Sequence, residues 1–105
     1  MKPIITTFFS PSGHQVLVGR NAVSNEYLST HLLESKDLWF HAKDVPGSHV
    51  VLKYSDQKIS DKDIAYCESL ARKYSRDPGC KHVIKTSGKK VVKNTSDALG
   101  TVTIM

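Results

Sequence analysis

Cysteine is scarce in this chain: Cys67 and Cys80 are the only two among 105 residues. Two thiols at that separation make neither a disulfide framework nor the paired spacing of a zinc or redox site, and they read as free thiols of a cytosolic protein. Nor is there an apolar run near the roughly 20 residues that would span a bilayer. The first ten residues, Met1 to Ser10, are too short and too polar for a signal peptide, so a cytoplasmic location without a membrane partner is expected. Linker-like, repetitive and low-complexity stretches are also missing; Pro11-Ser12-Gly13 and Asp77-Pro78-Gly79 are turns. What remains has ordinary globular composition, with enough length for one core and little area to spare. A single domain over residues 1–105 follows as the expectation.

Negative charge is missing from one part of the chain only. Residues 72–93 hold Arg72, Lys73, Arg76, Lys81, Lys85, Lys89, Lys90 and Lys93 against Asp77 alone, a net +7. Residues 1–71 and 94–105 each come to −1. A tract that positive beside a near-neutral remainder suits a polyanion. Charge runs also serve simply to keep a surface solvated, and the tract by itself does not separate the two uses.

Local patterning predicts an α+β fold. Residues 4–9 and 14–18 are rich in β-branched and aromatic residues and flank a turn, which suggests a hairpin. Ser24 is placed to cap a short helix carrying Leu28 and Leu32. Segments 37–42 and 48–54 read as strands. Ser60-x-x-Asp63 opens a longer helix in capping-box style, with Ile64, Cys67, Leu70, Ala71 and Tyr74 along one stripe. Short strands near 81–86, 90–93 and 101–104 complete a mainly antiparallel β-sheet with one long and one short helix, the long one packed on the sheet.

The chemistry concentrates in residues 37 to 50, Asp-Leu-Trp-Phe-His-Ala-Lys-Asp-Val-Pro-Gly-Ser-His-Val. The loop of Lys43 to Gly47 is too short for a parallel crossover, so the flanking strands pair antiparallel. Matching apolar residues sets Phe40 against Val50, Leu38 against Leu52 and Ala42 against Ser48. The other face then carries His41 with His49, Trp39 with Val51, and Asp37 with Lys53. An indole and two imidazoles on one face make a platform on which unpaired bases stack, with imidazole and ammonium groups available to phosphate. Alternatively, Trp39 lies under a helix or loop as core. Gly47 is expected to take a positive φ after Pro46. Arg20 suits a phosphate or base edge, and Asn21 and Asn25 suit either a ligand or local capping. His14, His31 and His82 sit in unremarkable segments and read as structural.

The run Asp37-x-Trp39-Phe40-His41-x-Lys43-x-Val45-Pro46-Gly47-Ser48-His49-Val50 resembles the signature of the NFACT-R family, RNA-binding modules of the NFACT proteins of ribosome-associated quality control, also found free-standing. Gly19-Arg20-Asn21, Asn25-Glu26 and Leu28 extend the resemblance upstream; Lys89-x-Val91-x-Lys93 and Gly100-x-Val102 extend it downstream. Leu99 departs from it, standing where many relatives place a proline. The resemblance implies a non-catalytic module for tRNA or ribosomal RNA, acting in ribosome-associated quality control or RNA processing, without cofactor or metal. Its implied contacts are Arg20, Asn21, Asn25, Trp39, His41, Lys43, Ser48, His49, Lys53, Lys89 and Lys93. On a strand, Lys89 and Lys93 share a face and Lys90 points away, so the first two are expected on phosphates. Two other readings stand beside this one. His41 and His49 with a nearby lysine have the residue types for metal-independent RNA cleavage. A structural module contacting acidic proteins or DNA would also carry the basic tract.

Overall fold

The computed structural model describes residues 2–105. Ile5–Phe9 (β1) and Gln15–Gly19 (β2) form the hairpin, with Gly13 at φ 89° in its turn. A six-residue helix, Ala22–Tyr27 (α1), widens into a π-helical turn over Leu28–Leu32. Leu38–Ala42 (β3) and Val50–Leu52 (β4) follow, then the long helix Asp61–Lys73 (α2) and Val83–Ser87 (β5). A 3-10 turn, Gly88–Lys90, leads into Val91–Val92 (β6), which pairs with Thr103–Ile104 (β7). The five-stranded sheet runs β1-β2-β4-β3-β5, antiparallel throughout. The α+β expectation holds.

The register of the central pair is the one that apolar matching selects: Leu38 faces Leu52, Trp39 faces Val51 and Phe40 faces Val50. One sheet face packs Val16, Val18, Phe40, Val50 and Leu52 against Cys67, Leu70 and Ala71 of α2. That helix starts with a full capping box between Ser60 and Asp63. Burial pushes the Cys67 thiol up to about 12, so it stays an inert core group. Cys67 and Cys80 are both free.

The second face is not an open platform. Leu17, Leu28, Trp39 and Val51 form a second core, with Leu32, Leu33, Val91 and Val102 packed against it. Trp39 is 3% exposed and packs as core over most of its surface. The short helix is capped by Asn21 rather than Ser24: the Asn21 Oδ1 accepts from the Ser24 N–H at 2.8 Å. Ser24 lies inside the helix, its Oγ donating to the same Asn21 oxygen at 2.8 Å and accepting from the Ile4 N–H at 2.7 Å.

Candidate nucleic-acid interface

Alternation along β3 puts Trp39 and His41 on one face, and their rings stack with centroids 5.8 Å apart at 8°. His49, on the run-in to β4, meets both rings edge-on, 5.0 Å from Trp39 and 5.4 Å from His41. The two histidine rings thus meet on one face, as extending the register one step past the Phe40–Val50 pair implies. His41 is half-buried, whereas His49 is 3% exposed. The Nδ1 of His49 lies 2.8 Å from the Ser29 Oγ. Burial, reinforced by the neighbouring His41, pushes the His49 pKa down to about 3, so its ring is neutral at physiological pH.

Asn25 holds the His49 backbone. Its Oδ1 accepts from the His49 N–H at 3.0 Å, and its Nδ2 donates to the Gly47 carbonyl at 3.2 Å. Both ends of this buried amide are therefore committed to shaping the Gly47–His49 segment. From the other side, the end of α2 is stitched to the same segment. Ser48 donates its N–H to the Tyr74 carbonyl, Arg76 donates to the Pro46 carbonyl, and Gly47 bridges Ser75. Gly47 does not take a positive φ; in the β3–β4 loop that conformation falls to Asp44, at φ 62°. Glycine is needed at 47 for close approach, because a Cβ there would sit 2.9 Å from the Ser75 Cα.

The C-terminal segment supplies the opposite wall. One oxygen of Glu26 accepts from the Lys93 Nζ at 2.7 Å and from the Gly100 N–H at 2.9 Å. Lys93 also donates to the Ala98 and Thr101 carbonyls at 2.8 and 2.9 Å. The Lys93 hydrogen bond, joined by the Gly100 N–H, lowers the Glu26 pKa and keeps the latch charged. Gly100, at φ 81°, lies so close to α1 that a Cβ would come within 2.8 Å of the Ala22 backbone.

Between these walls lies a cavity of about 870 Å³. Arg20, Asn21, Asn25, Trp39, His41, Ser48 and His49 all line it, seven of the eleven residues singled out from sequence. Tyr74, Ser75 and Arg76 line it too, joined by Leu99 to Val102. Arg20 and Arg76 are exposed at its rim, and the Arg20 guanidinium sits 4.3 Å over the Tyr74 ring. Sequence patterning assigned Tyr74 only to the helix stripe and Arg76 only to the basic tract. The contact that brings both to the cleft, the Gly47–Ser75 bridge, has no sequence signature.

The remaining four candidates lie outside the cavity. Lys43 is exposed in the β3–β4 turn, its N–H bonded to the His82 carbonyl of the basic tract. Lys53 is drawn to Asp37 at 2.6 Å, Glu34 at 2.9 Å and the Leu32 carbonyl. Lys89 and Lys93 do not share a strand face, which corrects the alternation read over this segment. The 3-10 turn at 88–90 breaks that alternation, leaving Lys89 exposed and turning Lys93 in to Glu26. Lys93→Ala is therefore expected to cost about 1–2 kcal/mol of stability in urea denaturation, with Lys89→Ala near zero. Equal, negligible losses would show that the latch is not holding the wall.

The fold and the cleft define a class: a small α+β domain with an aromatic and histidine-lined cavity, rimmed by arginines and adjoining a basic tract. Residues 4–105 match the family model described as NFACT protein RNA binding domain, and the chain belongs to that family. It is 40% identical over 108 aligned positions to the Rqc2 homolog RqcH of Bacillus subtilis, covering 95% of this chain and 19% of that protein. The Rqc2 homolog RqcH of Streptococcus suis is 37% identical over 84% of this chain and 16% of its own length. The chain thus spans about a fifth of the curated relatives it matches. Among solved structures, the C-terminal part of the fibronectin/fibrinogen-binding protein from Streptococcus suis superposes with a TM-score of 0.84 at 33% identity. That match covers all of this chain and 42% of the other. Among the described residues, no helix is long and apolar enough to cross a membrane.

Proposed function

We propose that this chain is a non-catalytic RNA-binding module that takes tRNA or ribosomal RNA, working in the cytoplasm in ribosome-associated quality control. The observation that carries the reading is the convergence of Arg20, Trp39, His41, His49 and Arg76, drawn from four separate stretches of chain, on one cavity beside the basic tract. Membership of the RNA-binding family and similarity to proteins named as Rqc2 homologs support it. The exposed cations, Arg20 and Arg76 at the rim and Lys43 in the β3–β4 turn, supply a phosphate-tracking term. His49 argues for binding over cleavage. A general acid works best with a pKa near the operating pH, and an imidazole held down to about 3 and bonded to Ser29 is far from that.

Labelled tRNA, ribosomal RNA fragments and DNA, incubated with the protein without metal, test this directly. A mobility shift with intact RNA is the expected result. Arg20→Ala with Arg76→Ala should flatten the slope of log affinity against log salt by about 0.7 per lost contact on single-stranded RNA. Preference among RNA sequences should change little, since phosphate contacts position without specifying. Metal-free cleavage that disappears in His41→Ala would favour the ribonuclease reading instead. Tighter binding to DNA than to RNA would favour the structural module.

A further inference from the structure

The cavity is shaped for a ligand that is flat and apolar at one end and anionic at the other. Its inner wall contains Trp39, Ile84 and Val102, and its rim carries the exposed Arg20 and Arg76. A phosphate alone has no use for the inner wall, and an aliphatic chain has no use for the rim. The volume, about 870 Å³, falls in the range of small-molecule sites and admits a base together with its ribose. Trp39 lines the cavity at 3% exposure, a narrow strip of an otherwise packed indole.

We propose that the cavity receives one unpaired nucleobase, seated against the Trp39, His41 and His49 rings. Its phosphate lies at Arg20 and Arg76. This assignment rests on the reading of the chain as an RNA-binding module and adds where the strand is gripped. It implies that unpaired RNA is preferred over duplex, because bases in a paired helix remain stacked and out of reach. It also gives the C-terminal wall a role, since Gly100 and Val102 close the space in which the base sits.

Trp39 is the only tryptophan, so its intrinsic fluorescence reports occupancy of the cavity. Four probes are compared: a single-stranded RNA decamer, the same decamer with abasic residues, its paired duplex, and a nucleoside 5′-monophosphate. Binding is followed separately through anisotropy of a label on the RNA. The single-stranded decamer is expected to bind and quench Trp39. The abasic decamer and the duplex should bind roughly 5- to 150-fold more weakly, the range that loss of one stacked base produces, and leave Trp39 unquenched. Val102→Phe, which fills the cavity, should make the ordinary decamer behave like the abasic one, while Val102→Ala should retain quenching. Equal affinity and equal quenching for the ordinary and abasic decamers would overturn the base pocket and leave RNA binding intact. If no RNA binds but the monophosphate quenches, the site stands as one for free nucleotide and the RNA reading falls. If nothing quenches, the pocket is rejected.

Discussion

Asp37→Ala is expected to lower the free energy of unfolding by about 3–5 kcal/mol in urea denaturation, the cost of stripping one partner from a buried ion pair. Asp37 is 1% exposed and opens the central motif, which makes it a tempting candidate for contact with a ligand. Its bonds say otherwise. One carboxylate oxygen accepts from the Lys53 Nζ at 2.6 Å and the Glu34 N–H at 2.8 Å; the other accepts from the Tyr54 N–H at 2.8 Å. The side chain thus ties the end of β4 to the connection between the π-helical turn and β3. Removing it leaves two backbone donors and an ammonium group short of an acceptor. Lys53→Met should also destabilise, and the double variant should lose less than the two single losses combined, as expected for coupled groups. Burial alone would lower the Lys53 pKa, but hydrogen bonds to Asp37 and Glu34 raise it overall. Its contribution is therefore complete below the ordinary lysine pKa and is lost as pH rises through the raised one. Protein that remains folded should bind RNA normally, because Asp37 does not line the cavity. A loss below about 1 kcal/mol would mean that the network is ornamental.

The fate of Asp37 shows what could be read from sequence and what could not. Its pairing with Lys53 followed from parity, because a one-residue slip would bury polar groups beside Phe40. The same parity placed His41 across from His49. Parity assigns a residue to a face, however, and is silent on what covers that face. The residues that close over Trp39 come from a π-helical turn, a strand of two residues and the segment just before another. None of these stretches is long enough to carry a periodic signal. Ser24 is the expected cap and Asn21 takes that place, because both are good N-cap residues and local sequence does not separate them. Lys93 misled because strand alternation was assumed where a 3-10 turn intervenes. Positions held by local periodicity were legible, and those held by contacts distant in sequence were not.

His49 should make the fold acid-sensitive well above the pH at which carboxylates titrate. Its pKa is pushed down from an ordinary value of 6.5 to about 3, chiefly by burial and then by the adjacent His41. In the unfolded chain the imidazole takes a proton as pH falls through about 6.5, while the folded chain resists until about pH 3. Over that window the unfolded state binds more protons, so protonation favours unfolding. The stability associated with neutral His49 is complete above about pH 6.5 and drains away as pH falls toward the folded pKa. One proton of linkage amounts to somewhat over 1 kcal/mol per pH unit, or roughly 4 kcal/mol by about pH 3.5. That is a large share of the stability of a domain this size. Glu26 and Lys93 also act on this ring, the carboxylate favouring its charge and the ammonium opposing it, but both are outweighed by burial. His49→Gln removes the titrating group, and its amide retains polar atoms to offer Ser29. Denaturant unfolding of both proteins between pH 7 and pH 4 separates the terms, since every other titrating group is common to the two. The wild type should lose stability more steeply, by an amount close to one proton. The difference lies in slope and survives whatever constant penalty the substitution brings. Parallel pH profiles would show that His49 takes up its proton as readily in the folded chain as in the unfolded one, so that burial does not hold the ring neutral.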